Sequence, residues 1–465
     1  MAPRTFLPDL LYAAGEVRSG QGLTVDRGVV TALGPPPPGA EVERLPGLAL
    51  LPGLVSAHGH AFQRALRGRT QWRAPGRSTF WSWREVMYRV ALAIGPDELH
   101  AVARLLFLEL ALSGATAVGE FHYLHLDPGG HRYADPDELA RRVLAAAREV
   151  GLRTCLLRVA YGRAGFGRPA DPAQRRFVEP SPDEAVAAVD RLSAAHAADP
   201  LVSFGLAPHS VRACPEPWIA ALARAAAGRG LPLHAHASEQ PREVEECRAE
   251  HGLSPVGLLA RAGALGPRTT LVHAIHVDQA DVAAIGAARA TVCACPTTER
   301  DLGDGIVPAD RLLAAGARLA LGVDAGVEAD LLAEARAVEG HLRLAALSRG
   351  ALGREGEGED ALARRLHGFA SAGGMAALGL DGGALRPGEP ADMVALDLSD
   401  PALAGAGARD LLTCAVFSGG RAAVRHVWVA GEAVVRDRAP TRLDAAAAVV
   451  GAASALAHLR AAAPG

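Results

Sequence analysis

Apolar positions in the central part of the chain alternate between two patterns. Short runs rich in Val, Leu, Ala, Thr and Cys are each followed by a longer stretch with apolar residues every three or four positions, which predicts strand then helix, repeated. From residue 48 the runs are "LALLPGLVSAHGH", "TAVGEFHY", "RTCLLRVAY", "VSFGLAPHSVR", "LPLHAHASEQ", "TTLVHAIHV", "ATVCACPTT" and "RLALGVDAG". The clearest helix is "PDELHAVARLLFLELALSG" at 96–114, with an acidic pair near its N-terminal dipole end. Eight repeats predict an α/β fold of the (β/α)8 type, and the polar residues that end nearly every run favour a barrel over an open doubly wound sheet.

The flanks read differently. Residues 1–47 predict short strands broken by "LGPPPPGA", and "ADMVALDL" and "RHVWVAGEAVV" near the other end are again β-like. Residues 1–47 and 386–440 are expected to build one composite β-sandwich beside a barrel over 48–385. The Ala-rich tail, 441–465, is expected to be a surface helix, and "GREGEGED" at 353–360 a solvated loop.

Composition narrows the function. A chain of 465 residues, 49% hydrophobic and 21% charged, has ample material for a core. A net charge of −3 without a basic run interleaved with aromatics disfavours nucleic acid as a partner. The first residues lack a secretory pattern and no stretch approaches 18 uninterrupted apolar residues, so the expectation is a cytoplasmic protein without a membrane partner. Six scattered cysteines suit a reducing compartment, and Cys293 and Cys295 read as small buried thiols more readily than as metal ligands. All 48 basic residues are arginine. Without lysine there is neither a Schiff base nor a carbamylated lysine to bridge two metal ions.

The functional face of a barrel collects residues from the C-terminal ends of its strands. The first run ends in His58 and His60, which point the same way because side chains alternate along a strand. The fifth run contributes His236, the sixth His273 and the eighth Asp324. His58, His60, His236 and Asp324 make a metal set with a place left for water, and His273 remains as a nearby base or hydrogen-bond donor. Glu239, three residues after His236, is placed to shuttle a proton, or else simply favours the dipole of the helix that follows.

This constellation resembles the amidohydrolase superfamily, whose mononuclear deaminases carry these residue types on strands one, five, six and eight. The strings "HAFQRAL", "FWSWREVMYR", "EFHYLH", "YADPDEL", "QRRF", "PHSVRA" and "DLGDGI" resemble, within it, the formimidoylglutamate deiminase family of histidine degradation. The resemblance implies hydrolysis of N-formimidoyl-L-glutamate to N-formyl-L-glutamate and ammonia, one zinc ion, and a homodimer. It also implies substrate contacts at Gln63, Tyr123, His209 and Arg212, residues whose donors, above all the planar fork of Arg212, suit a dicarboxylate. Asp324 would accept a proton from the nucleophile, His273 would orient it, and Glu239 would protonate the leaving nitrogen.

One segment departs from that pattern: the family reads Asp-Ser-His after strand eight, and this chain reads Asp324, Ala325, Gly326. Two other readings therefore stay open, a deaminase of a guanine-like heterocycle and a catalytically impaired barrel used for binding. Trp81, Trp83 and Arg84 are assigned to a lid, a subunit contact or packing.

Overall fold

The computed structural model describes residues 3–72 and 79–463. The eight apolar runs become β1 (Leu54–Gly59), β2 (Ala115–His122), β3 (Arg153–Ala160), β4 (Val202–Pro208), β5 (Leu233–Ala237), β6 (Thr269–His273), β7 (Thr291–Ala294) and β8 (Arg318–Leu321). They lie side by side in chain order in one parallel sheet, with helices between them, as the alternation predicts. The ring is drawn together just beyond the strand ends. Asp324 N–H donates to the His58 carbonyl at 3.2 Å and His60 N–H donates to the Asp324 carbonyl at 3.1 Å. A Cβ on Gly322 would lie 2.7 Å from the His58 carbonyl oxygen, so glycine is what lets the last strand approach the first.

The first apolar run serves two sheets. Its leading half belongs to a strand, Glu41–Pro52, that pairs parallel with Arg4–Ala13 and antiparallel with Met393–Asp397, with Leu48 opposite Asp397 and Pro52 opposite Met393. The flanking sheet thus runs five residues past residue 47, because Leu48, Ala49, Leu50 and Leu51 are all buried by packing there. Val424–Val429, Glu432–Arg436 and Ala439–Pro440 extend it on one side, and Gly22–Asp26 and Val29–Gly34 on the other. Phe6 and Trp428 come from strands that are not neighbours, yet their rings meet at 5.2 Å, so the nine-stranded sheet folds over its own core. Both ends of the chain do build one flank.

Flank and barrel are joined by a buried bidentate pair. Arg153 on β3 donates to both oxygens of Asp392 at 2.9 and 3.1 Å, and the Asp392 carbonyl accepts the Gly53 N–H at 2.9 Å. The tail helix runs Ala445–Ala462, capped by Asp444, whose carboxylate accepts from the N–H groups of Ala446 and Ala447. By length and composition it is apolar enough to span a bilayer, but it lies against the helix Pro96–Leu112 with Ala448, Ala452 and Leu459 buried.

Gly53 is the pivot between the two sheets, and a Cβ there would run into the Thr116 side chain. Gly53→Ala is expected to cost about 1–3 kcal/mol of stability, the scale of overpacking a tight core, read as a lower urea midpoint, with Thr116→Ala in the same chain restoring part of the loss.

Candidate active site

His58 and His60 share a face as alternation requires, their rings 4.7 Å apart. Around them the Asp324 Oδ1 lies 3.4 Å from His58 Nε2 and 3.3 Å from His60 Nε2, and His236 Nε2 lies 3.2 Å from His58 Nε2. All four side chains are buried and their donor atoms lie within 4.8 Å of one another. His60 Nδ1 donates to the Phe121 carbonyl and His236 Nδ1 to the His209 carbonyl, each at 3.0 Å. Since a carbonyl only accepts, both Nδ1 atoms carry the proton and both Nε2 lone pairs turn inward. Burial drives His58 down to about 3 and His236 well below the usual histidine range, so these rings are neutral. Neutral lone pairs facing a carboxylate repel one another unless a cation lies between them. A tetrahedral zinc with bonds of 2.0–2.1 Å separates its ligand atoms by about 3.3 Å, close to the spacings found here. The donor set fits a divalent metal ion.

A second layer of carboxylates holds the neighbouring groups. His273 Nδ1 donates to Glu299 Oε1 at 3.1 Å, and its Nε2 faces Glu239 Oε1 at 3.7 Å and Asp324 Oδ2 at 3.9 Å. Burial opposes charge on His273, but Glu239, Glu299 and Asp324 together raise it to about 10, making it a donor at both nitrogens. Glu243 accepts the N–H groups of Ser238 and Glu239 at 3.3 and 3.1 Å and so fixes the turn that carries Glu239. Glu239 and Glu243 are both buried, and sequence patterning marks Glu243 and Glu299 only as acidic residues early in helices.

Gln63, Tyr123, His209 and Arg212 line one cavity with His60, His236 and Asp324. Gln63 donates to the Tyr123 hydroxyl at 2.7 Å, and its own buried carbonyl oxygen has no hydrogen-bond partner among the described residues. Arg212 is not a free fork: its Nη2 donates to Glu239 Oε2 at 2.7 Å, and its Nε lies 3.6 Å from Glu243. The cavity contains a second guanidinium that the strand-end rule misses. Arg84 lies on the helix Phe80–Ala93, stacked 4.6 Å from the Trp81 ring, and no carboxylate pairs with it among the described residues. Its signal is the aromatic-rich string around it, which gives no direction. Trp83 lines the cavity as well.

The departure after Asp324 has backbone support. Ala325 N–H donates to Thr298 Oγ1 at 3.3 Å, and the Gly326 carbonyl accepts from Arg67 Nε at 2.9 Å, with Arg67 paired to Glu109 at 3.0 Å. Gly326 has φ +66°, and a Cβ there would sit 3.2 Å from Leu106 Cδ1, so a histidine at this position would be strained in this turn.

A sequence profile of the amidohydrolase family matches residues 49–434. The formimidoylglutamate deiminase of Pseudomonas aeruginosa is 41% identical over 415 residues, covering 88% of this chain and 89% of that protein. The 8-oxoguanine deaminase of the same organism is 31% identical over 439 residues, covering 90% and 92%. A crystal structure of an amidohydrolase from Brucella melitensis superposes with a TM-score of 0.90 at 32% identity, covering 98% of this chain and 99% of that one.

His236→Ala removes one inward lone pair and is expected to abolish retention of the ion, whereas Glu239→Gln, which removes no donor of the set, is expected to keep it. Elemental analysis after dialysis reads both outcomes, with one ion per chain expected for the unaltered protein.

Proposed function

The chain belongs to the amidohydrolase family, and on that premise we propose that it hydrolyses the formimidoyl C–N bond of N-formimidoyl-L-glutamate, giving N-formyl-L-glutamate and ammonia, with zinc as its ion. The observation that carries the reading is two guanidinium groups, Arg84 and Arg212, in one cavity with His60, His236 and Asp324. Arg84, which no carboxylate pairs with among the described residues, suits a substrate carboxylate, with Arg212, already shared with Glu239 and Glu243, beside it; a neutral heterocycle has no use for either charge. The identity to the Pseudomonas aeruginosa deiminase supports the same substrate.

His58, His60, His236 and Asp324 would hold the zinc, which when bound supplies an acidified water as the nucleophile at neutral pH. The residues around it do the rest. Asp324 presents Oδ1 toward His58 and His60 and leaves Oδ2 toward His273, so Oδ2 takes the proton that the nucleophile gives up. His273, with Glu299 behind it, donates from Nε2 and orients the attacking oxygen. Oxygen bonds to the formimidoyl carbon and the terminal C–N bond breaks. Glu239, held at Oε2 by Arg212, takes up at Oε1 the other proton of the attacking water and passes it to the terminal nitrogen, and the proton on Asp324 follows, so that nitrogen leaves as ammonia. Gln63, Tyr123 and His209 would hold the near carboxylate of the substrate, and Arg84, with Arg212 beside it, the far one. Anchoring both ends sets the small amidine carbon over the ion.

Ammonia release from formimidoylglutamate, measured beside guanine, tests the reading: turnover of guanine alone would overturn it. Arg84→Ala is the cleaner probe of carboxylate binding, because Arg212→Ala also strands Glu239 and Glu243. Each is expected to lower kcat/KM by about 2–4 kcal/mol with the ion retained. Arg212→Lys restores charge without the planar fork and is expected to be intermediate. Glu239→Gln is expected to lose turnover while keeping the ion.

A further inference from the structure

Cys295 reads from sequence as a small buried thiol, yet it follows β7 directly and stands beside the reacting groups. His273, Cys295 and Asp324 form a second cluster whose donor atoms lie within 4.8 Å of one another, all three buried. Asp324 joins the two clusters, since Oδ1 faces His58 and His60 while Oδ2 faces His273. A carboxylate with one oxygen on each side is the bridge that two-ion sites use. The thiol of Cys295 packs in a buried layer with Cys293 and Val272, and its backbone is held to the same carboxylate as His273. Glu299 Oε1 accepts both the Cys295 N–H, at 2.9 Å, and His273 Nδ1–H, at 3.1 Å, so one carboxylate oxygen fixes the cysteine and the imidazole relative to each other. A histidine held at Nδ1 by a carboxylate, with Nε2 turned to the site, is how metal-binding histidines are oriented.

We propose that His273, Cys295 and Asp324 form a second, inhibitory ion site, selective for thiophilic divalent ions such as cadmium or zinc in excess. A thiolate, an imidazole and one carboxylate oxygen make a soft donor set unlike the His3Asp set beside it, and sulfur is what selects for thiophilic ions. The Cys295 thiol and the His273 imidazolium give up their protons to solvent as the metal–sulfur and metal–nitrogen bonds form. An ion there occupies both groups that orient and deprotonate the nucleophile. The inhibition rests on the activity proposed above; the binding does not.

The test is cadmium titration of the zinc-loaded full chain. Wild type is expected to keep its zinc, take up one further cadmium per chain after desalting, show an ultraviolet thiolate-to-cadmium charge-transfer band, and lose ammonia release by at least about ten-fold. Cys295→Ala, in a layer already built of Ala57, Ala320 and Ala377, is expected to keep zinc and activity, bind no further cadmium and show no band. If that variant does not fold, Cys295→Ser serves, because a hydroxyl gives no thiolate band. Cadmium entering only as zinc leaves, without the band, overturns the proposal, and so does a Cys295 variant as sensitive as wild type. A protein that binds the second ion with the band but releases no ammonia from formimidoylglutamate fails the substrate reading and leaves the site standing.

Discussion

Asp324 performs two tasks at one position. Its backbone N–H and carbonyl stitch the end of β8 to His58 and His60 at the end of β1, and its carboxylate faces the two imidazoles carried by the same segment. Ring closure and assembly of the donor set are therefore one event: the strands cannot meet without delivering the ligands to one point. The geometry has a cost, since Asp324 at φ +45°, His273 at φ +72° and Ser238 at φ +52° are non-glycine residues in the left-handed region. All three stand where a strand ends and the catalytic face begins. Strain of this kind persists only where the surrounding bonds over-determine it.

Around that junction the protein buries carboxylates with few cations to match them. Burial pushes Glu243 and Glu299 upward, and it raises Asp304, whose side chain accepts from Gln240, to about 9. Their burden is met locally by backbone N–H groups, by Arg212 and by His273. Raised so far, Asp304 carries no charge at neutral pH, and the negative charge of the site rests on Asp324, held well below the usual range by His58 and His60, and on the carboxylates paired with Arg212 and His273.

The barrel is legible in the sequence because its signals are periodic. Eight apolar runs separated by helical stretches count out the strands, and alternation along the first of them is enough to put His58 and His60 on one face. The donor set follows because a polar residue after a buried strand has one place to go. What stays hidden depends on contacts between elements. No pattern in "LALLPGLVSAHGH" marks Gly53 as the hinge between two sheets, since that follows from Thr116 on another strand. Arg212 reads as a free fork until Glu239 and Glu243 fold against it, and Arg84 sits on a helix outside the strand-end rule. Cys295 lies in an apolar run and owes its setting to Glu299 and Asp324, which its own neighbours in sequence do not disclose.

The strand Glu41–Pro52 also sets the order in which the chain can be completed as it is made. Its partner on one side, Arg4–Ala13, is synthesised before it, but its partner on the other, Met393–Asp397, comes after the whole barrel. Through that interval one edge, with Leu48, Leu50 and Leu51 along it, is unpaired, and such an edge is a template for pairing with other chains. The barrel emerges tethered through Gly53 to a half-built sheet. Arg153 has no Asp392 until late in synthesis, so the lock between the two parts closes after the barrel has been made. Truncation from the C-terminal side would therefore expose a strand from the beginning of the molecule rather than one from its end.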